Sequence, residues 1–436
     1  MKNEKGTAAK HVLRAIAVLL LGAALGTLLL AGIYQIPQSA MRRSVEVSAA
    51  ILHEETLYPR VMKNVPASQL DNFTDALMLD ITYYKGGSFA EDMLSSVYIQ
   101  NGESDPLESL YGYMTGTEGE YQEAHYGRYW HGYQVVLAPL LTFFDLSQIR
   151  WLNAALQIAL AAAVLLTLYA RGRKDMLLPY GIAWMSLMPA ALFYSLQFSS
   201  TFYIMAILSL VVASRSGKTD FAKMCLAFEI AGILEAYFDF LTYPLVTFGV
   251  PAIMWFALDI GKKEPLRRRI RQLVRLGVSW GLGYLGMWSS KWVMAALFAR
   301  DDTLATAFQA IKFRSAMQLT DDVKISYLDV IKANVFFYVF WGFAVLFAAG
   351  ILLWLVKWLR QRKREPAPEL RSALPTLAVI AVCAMTPFVW YLATANHSYL
   401  HSWFTFRELS IFLFGGFTIP YVYLYCRRGC RKEQQR

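Results

Sequence analysis

The segment Val12-Leu-Arg-Ala-Ile-Ala-Val-Leu-Leu-Leu-Gly-Ala-Ala-Leu-Gly-Thr-Leu-Leu-Leu-Ala-Gly-Ile-Tyr34 decides the fold. Crossing about 30 Å of hydrocarbon takes roughly 20 mostly apolar residues, and Arg14 is the only charge in this run. Lys2, Lys5, Lys10 and Arg14 give it a basic flank like that of a signal peptide. The run is longer than a usual signal core, and Gln38-Ser39-Ala40 is a poor cleavage site, so it reads as a retained anchor.

Working outward, nine further runs have the same character: Ile149–Ala170, Met176–Phe193, Ser195–Ala213, Phe221–Phe238, Leu241–Ile260, Leu273–Phe298, Ile331–Leu355, Leu374–Leu392 and Leu409–Cys426. Gly132–Phe144 is apolar but short and contains Pro139, which makes it interfacial or re-entrant. The composition agrees, with 56% hydrophobic and 17% charged residues in a chain of 436. Soluble domains carry about 25% charged residues. The expected fold class is therefore an all-α polytopic membrane protein, a single integral domain over 1–436 with about ten transmembrane helices.

The net charge of +10 does not indicate nucleic acid. Most of the Lys and Arg fall in short clusters between apolar runs, as in cytoplasmic loops under the positive-inside rule. That rule puts both termini in the cytoplasm and leaves three segments outside: residues 35–148, 299–330 and 393–408. Cys225 and Cys383 lie in apolar runs, and Cys426 and Cys430 in the basic tail, so no exported disulfide is expected.

Polar chemistry gathers in the outside segments. Asp71 and Asp75 would share a helix face in an amphipathic helix near the membrane, where mutual repulsion suits a general base. The plainer alternative is a pair of solvated carboxylates, one of them an N-cap. His125-Tyr126-Gly127-Arg128-Tyr129-Trp130-His131 offers Arg128, Tyr129 and His131 for phosphate or sugar recognition, against an ordinary aromatic belt. His397, His401 and Arg407 repeat that pattern in the last outer loop. The two histidines lack a third ligand, so no metal is assigned. Inside the membrane, Glu229, Glu235, Asp239 and Lys291 are costly charges that mark function or a structural ion pair. Asp239 and Lys291 join the candidate substrate-binding set.

This layout resembles the GT-C superfamily of membrane glycosyltransferases, which includes protein O-mannosyltransferases and lipid A aminoarabinose transferases. The similarity lies in a first span followed by a long outer loop carrying an acid, here Asp71 or Asp75, and membrane-surface helices. The loop ends in an aromatic entry, Tyr129-Trp130-His131-Gly132-Tyr133 through Pro139, followed by Arg150-Trp151-Leu152-Asn153. The sequence departs from the family in spacing its acids four apart and in lacking a His-Pro-Pro entry.

The resemblance implies transfer of a sugar from a polyprenyl-phosphate donor to a lipid or glycan acceptor at the outer face of a plasma membrane, bacterial by expectation. A first-loop Asp would be the base, and Arg, His and Lys would hold the carrier phosphate. The sequence requires no cofactor, and a divalent cation stays open. Two other classes stand beside this one. A transporter or lipid flippase would use the intramembrane Glu, Asp and Lys residues, but it lacks the expected paired repeats. A non-catalytic scaffold or sensor is the third.

Overall fold

The computed structural model describes residues 2–433 apart from 87, 300–302, 321–322 and 362–368. The described chain is predominantly helical. In order, the helices are α1 (Lys2–Ile33), α2 (Gln38–Glu55), α3 (Asn72–Tyr83), α4 (Phe89–Ser95), α5 (Pro106–Thr115), α6 (Gln134–Leu141) and α7 (Leu146–Ala170). There follow α8 (Leu177–Ser186), α9 (Pro189–Tyr194), α10 (Ser199–Arg215), α11 (Phe221–Phe238), α12 (Val246–Leu258), α13 (Leu266–Met294) and α14 (Thr303–Ser315). The last are α15 (Tyr327–Phe336), α16 (Trp341–Gln361), α17 (Glu369–Ala384), α18 (Thr386–Ala393), α19 (Ala395–Leu400), α20 (Ser402–Thr405) and α21 (Ser410–Glu433).

Five segments are long and apolar enough to cross a membrane: Val12–Ile33, Leu146–Ala170, Trp341–Gln361, Ser372–Ala393 and Ser402–Cys426. Helices α10 and α12 are apolar but shorter. Several expected spans differ in form. Met176–Phe193 divides into α8 and α9 at Met188, whose φ of 59° interrupts the helix. Ile331–Leu355 is broken between α15 and α16, where the Tyr338 hydroxyl turns to donate to Ser186 O at 3.1 Å. The expected span from Leu241 becomes helical only at Val246.

Irregular backbone inside a helical bundle needs internal partners for its polar groups. Here side chains supply them. Asn153 Nδ2, on α7, donates to Leu192 O and Phe193 O at 3.0 and 2.9 Å. Arg150 donates to Tyr194 O at 2.7 Å and forms a two-pronged ion pair with Glu55 at 2.6 and 2.9 Å. These two polar residues tie the α9 break to α2 and α7.

The closest helix pair is α11 against α13. A methyl at Gly232 would come within 2.1 Å of Trp280 O, and one at Gly283 within 2.1 Å of Glu229 O. Two glycines thus let the backbones touch, the small-residue packing that membrane helices use in place of a hydrophobic drive.

Between α1 and α7 lies a loop domain that is more than membrane-surface helices. It contains a two-stranded antiparallel sheet, β1 (Val97–Asn101) on β2 (Tyr121–His125), with Val97 opposite His125 and Asn101 opposite Tyr121. Val97 and Ile99 point inward from β1. Asp80 on α3 anchors the sheet by accepting from Ile99 N at 3.0 Å. Helix α3 is buried all round from Asp75 to Tyr83, so it is the centre of this domain and not a one-sided surface helix. Helix α6 coincides with the short apolar stretch around Pro139.

Candidate functional site

Asp71 sits at the N-cap of α3, where its carboxylate accepts from Thr74 N at 3.0 Å. Such a cap satisfies one of the free amides that begin any helix. The side chain is only 3% exposed, yet it lines a cavity of about 460 Å³. Burial raises its pKa to about 6, against the opposing effect of the hydrogen bond from Thr74. A carboxyl that titrates near neutrality is suited to take up and release a proton.

Besides Asp71 and its neighbours, three further parts of the chain supply main walls of this cavity, and Gln197 and Phe240 add to them. The first is the turn after β2. Arg128 lies over the Tyr126 ring at 5.3 Å, and Tyr126 meets Tyr129 edge to face at 5.4 Å. This turn is fixed from α13: Trp292 Nε1 donates to Arg128 O at 3.0 Å, and Trp288 packs on Tyr129 at 5.4 Å. The second wall is the end of α14, which brings Arg314 over the Tyr129 ring at 5.6 Å. Two guanidinium groups therefore lie on two tyrosines that touch each other.

The third wall is α19 and α20. His397 Nε2 is 2.8 Å from Leu241 O. A carbonyl only accepts, so Nε2 carries the proton and Nδ1 is left as an acceptor. Nδ1 is buried and has no hydrogen-bond partner among the described residues. His401 stacks on Phe404 at 5.3 Å and lies 4.8 Å from the His397 ring. Burial, and then the positive charge of Arg314, lower His397 well below the usual imidazole range and His401 to about 4. Both rings are neutral at pH 7. Gln197 adds a further buried oxygen without a partner among the described residues.

The cavity thus gathers Asp71, Arg128, Tyr129, His397 and His401 from the residues singled out in the sequence. The other candidates lie elsewhere. Asp75 is fully buried and accepts from Ser195 Oγ at 3.2 Å, Leu196 N at 3.0 Å and Gln197 N at 3.0 Å. It caps the segment between α9 and α10. Burial raises its pKa to about 7, against the pull of Arg150 and the two amides.

His131 adopts φ 54° and donates from Nε2 to Tyr126 O at 2.8 Å, while Nδ1 is 3.2 Å from the Tyr133 hydroxyl. It supports the Tyr126 wall from behind, and burial lowers its pKa to about 3. Asp239 is closed by Thr242, accepting from its amide at 2.8 Å and from its hydroxyl. Lys291 is buried over the Trp130 ring at 5.6 Å. Arg407 is fully buried, donating to Leu187 O at 2.9 Å and Trp403 O at 3.1 Å and stacking on Phe198. It completes the α8–α9 break.

Sequence reasoning missed Arg314, Tyr58, Gln197 and Phe240, all in the cavity wall. Arg314 follows Lys312 in a run that reads as an ordinary basic loop helix, and nothing local marks it. Among the described residues no group of three or more His, Cys, Asp or Glu side chains is placed to hold a metal ion.

Fold and cavity together define a helical protein with membrane-type helices and a polar, aromatic-walled cavity at its loop domain. No family model, curated protein or solved structure matches the chain.

Proposed function

We propose that the chain is a polytopic membrane glycosyltransferase that uses a polyprenyl-phosphate-linked sugar. The observation that carries this reading is the cavity itself: one buried carboxyl titrating near neutrality stands in the same wall system as two arginines and several aromatic faces. Glycosyl transfer needs those groups. Ionised Asp71 takes the proton of an acceptor hydroxyl as its oxygen bonds to the anomeric carbon. The bond from that carbon to the phosphate oxygen breaks, and the electron pair leaves with the phosphate. Arg128 and Arg314 offset the charge that develops there. Tyr58, Tyr98 and Phe240 give flat faces for a sugar ring, and His397 Nδ1 accepts from a ring hydroxyl.

In this reading all ten apolar runs cross or enter the bilayer, with the loop domain outside and both termini in the cytoplasm. The acceptor is a lipid or a glycan of the cell envelope. The resemblance to GT-C enzymes supports the reading through the order of anchor, long loop, acid and aromatic entry.

The test is binding of a polyprenyl phosphate to full-length protein in nanodiscs. Wild type is expected to bind saturably, with Arg128→Ala and Arg314→Ala each weakening binding about tenfold, as loss of a charge-assisted hydrogen bond does. Equal binding by all three proteins overturns the assignment.

A second reading rests on two buried acids inside the bundle. Glu235 accepts from Thr201 at 2.7 Å and Glu408 from Leu245 N at 3.1 Å, and each has a second oxygen without a partner among the described residues. Intramembrane acids in that condition favour proton-coupled transport. Uptake driven by a proton gradient in vesicles, and lost in Glu235→Gln, would decide for it.

A further inference from the structure

The end of α13 remote from the cavity carries a surface that glycosyl transfer does not use. The helix has 29 residues, and at about 1.5 Å each it is longer than a hydrocarbon core of about 30 Å. Its C-terminal end is pinned to the loop domain: Trp130 Nε1 donates to Met287 O at 2.7 Å, and Trp292 bonds Arg128 O. In the ten-span reading the excess length projects at the N-terminal end.

That end has two neighbouring rows at helical spacing. Leu266, Ile270, Val274, Val278 and Leu282 recur every four residues and are 44–55% exposed. They form one unbroken exposed row along the helix. Arg267, Arg271 and Arg275 follow each of the first three by one position and are also exposed. Other cations nearby are already engaged. Arg269 is buried on Asp259 at 2.7 Å, Lys262 pairs with Asp259 at 2.8 Å, and Arg268 pairs with Glu264 at 3.1 Å. Arg275 lies over the Phe221 ring at 5.1 Å. Lys263, Arg267, Arg271 and Arg275 have no carboxylate partner among the described residues.

We propose that the first turns of α13 are a docking surface for anionic phospholipid headgroups. The apolar row sits in the acyl boundary, and Arg267, Arg271 and Arg275, with Lys263 beside them, sit at the level of the phosphates. This inference rests on α13 crossing the membrane, as the ten-span reading under the proposed function has it, but not on the chain being a glycosyltransferase. The complementarity is specific in form. An acidic peptide or nucleic acid would match the cations but leave the exposed apolar row uncovered, whereas a phospholipid covers both.

Native mass spectrometry of the detergent-solubilised full chain, titrated with phosphatidylglycerol and separately with phosphatidylcholine, tests it. Wild type is expected to retain phosphatidylglycerol preferentially. The triple substitution Arg267→Gln, Arg271→Gln, Arg275→Gln should reduce that preference about fivefold per residue removed. The pair Lys218→Gln, Lys223→Gln removes two other exposed cations and should leave it unchanged. If the triple variant does not fold, Arg271→Gln alone carries the comparison, because that side chain has no ion-pair partner to lose. An unchanged preference in the Arg variants, an equal loss in the Lys pair, or no preference in wild type each overturns the proposal. Loss of polyprenyl-phosphate binding with the phospholipid preference intact would remove the transferase reading alone.

Discussion

At the scale of the residue, Asp71 and Asp75 look alike in the sequence and do different work in the structure. Asp71 has one amide donor and a cavity in front of it. Asp75 has three donors and no open side. Asp71→Asn should abolish transfer while keeping the N-cap, because Asn caps as well as Asp. In the wild type, transfer should rise as pH increases through about 6, where Asp71 ionises.

Stability should move the other way. A carboxyl raised in the folded state to about 6 stabilises the fold while neutral, fully below the unfolded value of about 3.9, and that contribution is lost as pH rises through the folded value. Above pH 6 the native state holds a buried charge that Asn would not. Asp71→Asn is therefore expected to melt higher than wild type at pH 8, and a lower melting temperature would contradict this account. Asp75→Ala should instead lose about 3 kcal/mol, since it strands two buried amides and a hydroxyl. Denaturation monitored by tryptophan fluorescence reads both.

At the scale of the element, the apolar runs were legible because hydrophobic length is written locally. Each run coincides with helix over most of its extent. The breaks were only partly legible. Met188 stands before Pro189, which disfavours a helical backbone at the residue ahead of it, but the φ of 59° it takes is set beside Leu187, whose carbonyl is bonded by the distant Arg407. The β1–β2 sheet escaped for a similar reason: Tyr121-Gln-Glu-Ala-His125 has no strand-like alternation and is made a strand by its partner across α5. The cavity was half legible. Its acid, one arginine and two histidines stood in dense polar clusters, but Arg314 enters by tertiary placement alone. The α11–α13 contact gives a prediction at this scale. Gly283→Val puts a side chain where 2.1 Å separates a methyl from Glu229 O. It should force the helices apart and cost several kcal/mol, read as loss of monodisperse protein on size-exclusion chromatography, while Gly281→Val, with open space at the same atom, should be tolerated.

At the scale of the whole molecule, the bond partners of the basic residues collect several helix ends on one side. Arg171 donates to Ala213 O at 2.5 Å and to Ser216 O at 2.7 Å, Arg173 donates to Ala257 O at 2.8 Å, and Arg269 ties the start of α13 to Asp259. The ends of α7, α10 and α12 and the start of α13 are thereby gathered together. If the ten-run arrangement holds, that face and the loop domain lie on opposite sides of the bilayer. Single cysteines replacing Lys218 and Glu118 in a cysteine-free background should then react with an impermeant maleimide from opposite sides of sealed vesicles. Labelling of both from the same side would rule the arrangement out.

The cavity has walls from several distant stretches of chain, and they leave the ribosome in a fixed order. Asp71 and Arg128 emerge early, Arg314 much later, and His397 to Phe404 almost last. At 5–20 residues per second, roughly, a nascent chain carries its acid for many seconds before the opposing wall exists. The chamber is therefore incomplete for most of the chain's synthesis, and the arrival of the late helices is the event that closes it.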